Sequence, residues 1–330
     1  ILWLAAPTRD LRSLRRACGA RGVPDERLPL RGHLDPGLLP GLRRWLQRAA
    51  PDILHLHLIH AQLHGTLAAR GCGLALVATR HGTERYQRWP PMRLLARRLD
   101  AAAARVIAPS SWVAEYARRW DGTPRAKLRV IPHGIDLRRY AAAPPPMRRA
   151  GCVFTALARL HASKEHAVLL DAFARAAPHL PAAELWLAGE GPLRGALERR
   201  VGRLPADLRA RIRFLGEVTD VPPLLAASDV VVLPGPREGF GLAALEAMAI
   251  GRPVIGPRGG ALPELIEAGG SGLLYAPGER RALAAALLRL GRDPERRRAW
   301  GAHGRRIAAG YGRARMVDAT LRLYHEILAA

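Results

Sequence analysis

Glu238-Gly-Phe-Gly-Leu-Ala-Ala-Leu-Glu246 decides how this chain is read. Ahead of it, Asp229-Val-Val-Val-Leu233 is an unbroken apolar run, the pattern of a buried parallel strand, and Pro234-Gly-Pro236 ends it. Behind it, Leu242 to Ile250 predicts a helix stopped by Gly251 and Pro253. Glu238 then lies on the turn before the helix, and Glu246 more than one turn inside it. Open α/β sheets bind ligands beyond the carboxyl ends of their strands, so both carboxylates can face that crevice. The amides of Phe240, Gly241 and Leu242 fall where a helix start leaves donors unpaired, a place suited to phosphate. Carboxylates repel phosphate, but beside one they suit hydroxyl groups such as those of ribose or a hexose. The stretch predicts a sugar-nucleotide site. An ordinary strand–helix–strand unit with exposed carboxylates would carry the same two glutamates.

Working outward, the helix continues into Ala247-Met-Ala249, Gly251-Arg-Pro-Val254, Gly259-Gly260 and Pro263-Glu264. Upstream, a strand over 151–157 leads to Ala158-Arg159-Leu160 and, four residues on, Lys164. A strand over Glu184 to Ala188 leads to Gly189-Glu-Gly-Pro192, and one over Arg211 to Leu215 leads to Gly216-Glu217-Val218. In this order the motifs resemble the donor site of the retaining glycosyltransferases of family 4, which have the GT-B fold. The resemblance implies α/β architecture, with two doubly wound, Rossmann-like domains facing a cleft. It implies a metal-independent hexosyltransferase that uses a nucleoside diphosphate sugar, with UDP or GDP as the nucleotide, and no separate cofactor. Arg159 can grip phosphate oxygens bidentately and Lys164 adds a point charge. The resemblance gives Glu238 the sugar and Glu246 the ribose, with Gly189, Glu217, Val218, Gly259 and Gly260 lining the nucleotide pocket. Ala158 stands where the family commonly has glycine. No Asp-x-Asp occurs, so Arg159, Lys164 and the helix-start amides are expected to meet the leaving diphosphate.

The first half carries three further parts of the resemblance. Asp52-Ile-Leu-His55-Leu-His57 matches an Asp-x-x-His-x-His strand end, Arg80-His81-Gly82 a Thr-x-His-Gly turn, and Pro132-His-Gly-Ile-Asp136 a Pro-Asn-Gly-Val-Asp turn. The resemblance places His81 near the transferred sugar, and a plain surface histidine is the alternative. His55, His57, His60 and His64 pair up on a strand face and a helix face, yet no cysteine or carboxylate completes a metal shell. Helices are expected over Leu11 to Arg21, Gly41 to Ala49, Trp112 to Arg119, Glu279 to Leu290 and Arg315 to Leu328. The domains are expected at residues 1–146 (acceptor), 147–311 (nucleotide sugar) and 312–330, a last helix returning to the first domain. Ile1-Leu-Trp-Leu-Ala5 reads as the second strand of such a domain. A first strand and Gly-rich loop are therefore expected upstream of the sequence, and the sheet is expected to have a gap.

Composition bounds the partners. The 330 residues suggest about two domains of ~150 residues each. Of 52 basic residues only Lys127 and Lys164 are lysines, a bias shared with abundant Ala, Gly and Pro. Residues 1–145 carry 25 basic and 10 acidic side chains, net +15 of the total +24, which can draw an anionic acceptor or membrane surface. Arg85 to Arg98, with Trp89 and Met92, is the basic and apolar segment suited to lipid. At 5% aromatic residues and without a recognition motif, nucleic acid is not the expected partner. Cys18, Cys72 and Cys152 form no zinc or CxxC pattern, so a reduced cytoplasmic protein is expected, peripheral on the membrane where lipid is engaged. Two other functions fit the same residues: a non-hydrolysing sugar-nucleotide epimerase, and a binding protein without turnover. A dehydrogenase does not fit, since no G-x-G-x-x-G follows a strand.

Overall fold

A run of buried valines shows how the second half is layered. In β10 (Val230–Val232), Val230 and Val232 join Phe154, Phe173, Leu187 and Leu287 on one face. Val231 and the following Leu233 join Leu245, Met248 and Leu262 on the other. A pleated strand sends alternate side chains to opposite faces, and helices on both faces leave no position for a polar residue. Each such side chain contributes roughly 1.5–3 kcal/mol by leaving water.

The computed structural model describes residues 2–5, 12–32, 35–83, 89–143, 151–266 and 270–330. Ile1, Leu11, residues 85–88 of the basic apolar segment and residues 144–147 at the expected domain boundary lie outside it. Two α/β units result, as the sequence motifs imply. The first comprises Ile1–Ala108, Ala114–Val130 and Leu321–Ala330; the second comprises Pro109–Val113 and Ile131–Thr320.

In the second unit, β7 (Val153–Leu157), β8 (Glu184–Ala188), β9 (Ile212–Gly216), β10, β11 (Val254–Pro257) and β12 (Gly272–Tyr275) form one parallel sheet. Its order is β12-β11-β10-β7-β8-β9. The chain runs outward from β7 to β9, then crosses back to start β10 on β7's other side, with Val230 opposite Phe154. The loops leaving β7 and β10 therefore diverge, which makes this the switch point where such sheets bind ligands.

In the first unit, β1 (Leu2–Ala5) pairs, among the described residues, only with β2 (Glu26–Pro29). A separate parallel sheet runs β3 (Ile53–His57), β4 (Ala75–Thr79), β5 (Arg105–Ala108) and β6 (Leu128–Val130). Among the described residues no strand links the two sheets. Helices Leu38–Ala49 and Leu58–Ala68 cover the second sheet through Leu42, Leu46, Leu56 and Ala68. No helix among the described residues is long and apolar enough to cross a membrane.

Two features depart from the sequence expectation. The unit boundary precedes Ile131 rather than following residue 146, because Ile135 and Tyr140 are buried with Leu245 and Met248. A helix over Pro294–Ala308 stands between the two expected near the end. Asp293 caps it by accepting from Arg296 N at 2.8 Å, Pro294 takes the first turn, and Trp300 is buried. Asp-Pro ahead of an otherwise polar stretch was the signal available.

Strands with a neighbour on one side only expose unpaired amides. Hydrogen exchange is therefore expected to be faster in β1, β2 and β3 than in β4 and β5, and slowest in β7, β8 and β10. Equal protection of β3 and β4 would contradict this ladder.

Candidate functional site

The β7 exit is built by contact with its neighbour. Ala158 N donates to Ala188 O at 3.0 Å and Leu160 N to Glu190 O at 2.9 Å, so two strand exits leave as a pair. At Gly189 (φ +139°) a Cβ would lie 2.1 Å from Ala158 O, which only glycine permits. Gly189 N also donates to Gly216 O at 2.7 Å, which brings in the β9 exit with Glu217 exposed and Val218 half-buried. Arg159 projects from this row, exposed, and among the described residues it meets no carboxylate. The chain then makes the tight turn Ala162–Lys164, where Lys164 N donates to His161 O at 2.9 Å.

The β10 exit meets this turn. A Cβ on Gly235 would stand 2.8 Å from Ser163 O, so the two loops touch backbone to backbone. Lys164 Nζ donates to Glu238 Oε1 at 2.5 Å, with the side chains 23% and 12% exposed. A third loop holds Glu238 from behind: Ala261 N donates to Glu238 O at 2.8 Å. A Cβ on Gly260 (φ +63°) would approach that oxygen to 2.6 Å. Gly259 presses similarly on Pro236 O, at 2.8 Å. Lysine and glutamate are mutually neutralised here, partly out of water. An anion that takes Lys164 frees the Glu238 oxygens for hydroxyl donors.

The helix Leu242–Ile250 begins as expected, with left-handed Gly241 (φ +92°) at its cap and no side chain capping it. Its first-turn amides are those of Leu242 and Ala243; Phe240 stands one residue ahead of the cap. The Phe240 ring is buried edge-on to His133 (centroids 5.4 Å) and beside Tyr311 (5.9 Å), so it anchors the helix start. Leu242 is 44% exposed. Glu246 Oε1 accepts from Tyr140 Oη at 2.7 Å. Burial pushes the Glu246 carboxyl up, opposed by that hydrogen bond and by the nearby Arg139 charge. The same burial and the Glu246 carboxylate push the Tyr140 hydroxyl up. Tyr140 is the partner sequence reasoning missed: it lies 106 residues away on the helix Leu137–Ala141, and no spacing rule connects the two.

His81 belongs to the first unit. His57 Nδ1 and His81 Nε2 share a hydrogen bond at 3.0 Å, and His55 stacks on His57 with centroids 4.3 Å apart. His55 is held by Thr79 Oγ1 at 2.6 Å through Nε2 and by Tyr324 Oη through Nδ1. Burial, then the neighbouring His57 and His81, holds His55 down at about 3. Loss of water holds His57 below the usual imidazole value. His64 is engaged elsewhere, accepting from Asp35 N at 3.2 Å through Nε2. Just before His81, buried Arg80 donates to Asp100 Oδ1 at 2.8 Å, and Asp100 also accepts from Gln62 Nε2 at 2.8 Å and Thr123 Oγ1 at 2.5 Å. This buried cluster fixes the exit of β4.

Two parallel α/β units, with two carboxylates, two cations and a bare helix start gathered at a switch point in the second, have the architecture of the GT-B class. Residues 2–139 match the model for "Glycosyltransferase Family 4", and residues 151–293 that for "Glycosyl transferases group 1". The chain is 30% identical over 308 residues to a D-inositol 3-phosphate glycosyltransferase of Saccharomonospora viridis, covering 84% of this chain and 71% of that one. It is 34% identical over 224 residues to a GDP-mannose-dependent alpha-(1-6)-phosphatidylinositol dimannoside mannosyltransferase of Mycobacterium tuberculosis. That match covers 63% of this chain and 56% of the relative's length. Among solved structures, Anabaena HepE in complex with UDP-glucose superposes with a TM-score of 0.80 at 23% identity, covering 95% and 89% of the two chains. The chain belongs to glycosyltransferase family 4.

The histidine ladder has a pH consequence. The folded value of His55, about 3, lies below its unfolded 6.5, so its contribution is present above pH 6.5 and is lost as pH falls toward 3. Removing it with His55→Gln is expected to flatten the acid limb of stability by roughly 1–2 kcal/mol at about pH 5. Denaturant midpoints measured from neutral pH downward check this; parallel curves for the two proteins would remove His55 from the account.

Proposed function

We propose that the chain transfers a hexosyl group, with retention of configuration, from a nucleoside diphosphate sugar to a hydroxyl acceptor. The observation that carries this is the meeting of Lys164, Glu238 and the start of the Leu242–Ile250 helix at the switch point, with Arg159 on the adjoining exit. Arg159, Lys164 and the helix-start amides would meet the diphosphate and hold its growing charge as the sugar leaves. Glu238, once Lys164 turns to phosphate, would accept hydroxyls of the sugar, while Glu246, oriented by Tyr140, would accept those of ribose. Gly189, Gly259 and Gly260 would let backbone approach the nucleotide, and the Glu217–Val218 backbone would meet the base. His81 would face the transferred sugar or the acceptor hydroxyl. Family membership favours transfer over epimerisation.

The donors named for relatives, GDP-mannose and UDP-glucose, are the first to test. Their named inositol-based acceptors, and the net +15 of residues 1–145, make a polyol phosphate or its lipid the acceptor class. Thermal stabilisation by GDP, UDP or their sugars is expected, on the order of 2.7 kcal/mol at a hundredfold excess over Kd. Arg159→Ala or Lys164→Ala should lower turnover ~10²–10³ fold without matching loss of folding. Glu246→Ala should weaken GDP or UDP binding, whereas Glu238→Ala should spare it. Full turnover by the cation variants at saturating donor would remove them from the reaction. Binding without turnover of any donor would leave a nucleotide-sugar-binding protein.

Peripheral contact with anionic lipid extends this reading. Trp89 (63% exposed) precedes the basic helix Pro90–Ala102 and Leu94 (49%) lies on it, although Arg93 is partly engaged, donating to Trp120 O at 2.8 Å. Cosedimentation with phosphatidylglycerol vesicles, weakened by Trp89→Ser, is expected; equal binding to phosphatidylcholine would refute it.

A further inference from the structure

The register of two neighbouring strands places three imidazoles in a row. β3 and β4 pair with His57 opposite Thr79, so His55 and His57 share a face, and Thr79 lies beside them. His81 follows Thr79 by two residues. The rings stack in sequence: His55 on His57 at 4.3 Å and 28°, then His57 on His81 at 5.2 Å and 26°. The far end is fixed, because His55 has Thr79 on one nitrogen and Tyr324 on the other. The near end, His81, is exposed.

We propose that His57 is a positioning residue that sets the plane and the tautomer of His81 through the 3.0 Å contact between His57 Nδ1 and His81 Nε2. This rests on the glycosyltransferase reading, in which His81 meets the sugar or the acceptor hydroxyl. A neutral imidazole has one N–H and one bare nitrogen. A contact between two such rings holds when one nitrogen carries the proton and the other does not. The state of His57 Nδ1 therefore dictates that of His81 Nε2, and with it the opposite state of His81 Nδ1. Protonating both rings would set two N–H groups and like charges against each other across this contact. Stacking against the immobilised His55 keeps His57 from turning away. The backbone before His81 is anchored independently, by Arg80 N donating to Ile107 O at 2.9 Å and by the buried Arg80–Asp100 pair. The ring, not the main chain, is what His57 controls.

The test uses the full chain with isotope-labelled histidine, read at neutral pH by nitrogen–proton correlations that separate N–H from bare ring nitrogens. His81→Asn assigns the His81 signals. One neutral tautomer is expected for His81 in the unsubstituted protein. His57→Phe keeps a stacked ring without the hydrogen bond and should give averaged His81 nitrogens. His57→Asn returns a hydrogen-bonding atom near the Nδ1 position and should restore a single tautomer. With whichever of GDP-mannose or UDP-glucose is turned over, His57→Phe should lower kcat ~10-fold and leave the donor KM within about twofold, as for loss of a group that orients a functional histidine. His57→Asn should recover most of that kcat. His81 averaging between tautomers in the unsubstituted protein overturns the proposal without any variant having to fold. So does a His81 spectrum, or a kcat, unmoved by His57→Phe. If neither donor nor nucleotide binds, the proposed function fails while the His81 spectrum still decides the role of His57.

Discussion

Lys164 and Glu238 meet because the chain reverses direction across β7. Seventy-four residues separate them, and the sheet spends those residues on β8 and β9 before returning to lay β10 on β7's other side. Loops leaving adjacent strands in opposite senses open a notch, and the notch is bounded by backbone contacts that glycine alone allows. Gly235 lies against the Lys164 turn, and Gly260 against the Glu238 carbonyl. The resulting ion pair is half-withdrawn from water, where losing one partner strands the other. A ligand with both anionic oxygens and hydroxyls is the one that can satisfy both groups at once.

Burial treats the ionisable groups of the two units differently. In the second unit, the Lys164–Glu238 pair and the Glu246 carboxyl are partly buried, each group with a single hydrogen-bonding partner among the described residues. In the first unit, burial suppresses charge on His55. Buried Asp100 accepts hydrogen bonds from Arg80, Gln62 and Thr123. Asp121, which faces Arg80 at 3.8 Å with one oxygen lacking a hydrogen-bond partner among the described residues, is instead pushed up to about 6 by desolvation. The surface excess of arginine is a separate matter, set by composition and spread over both units.

By itself the sequence determined the local pieces. The apolar run Asp229–Leu233 ended by Pro234 marked the central strand of the second sheet, and Leu242–Ile250 was legible to the residue because Gly251 and Pro253 stop a mostly apolar stretch. The order of motifs along the chain was enough to name the family, since each motif is a strand exit whose residue types are dictated by phosphate, hydroxyl or close backbone approach. Where local composition hides the packing, reading failed: the helix Pro294–Ala308 was not foreseen because few of its side chains are buried, and the boundary was set after residue 146 because the prolines there dominate. Only the tertiary structure decided which side chains face one another. Tyr140 on Glu246, Lys164 on Glu238, and His57 on His81 are contacts between segments brought together by strand order and register, and neither propensity nor spacing encodes them. They depend on the summed packing of two cores, in which each residue's partner is set by every strand between.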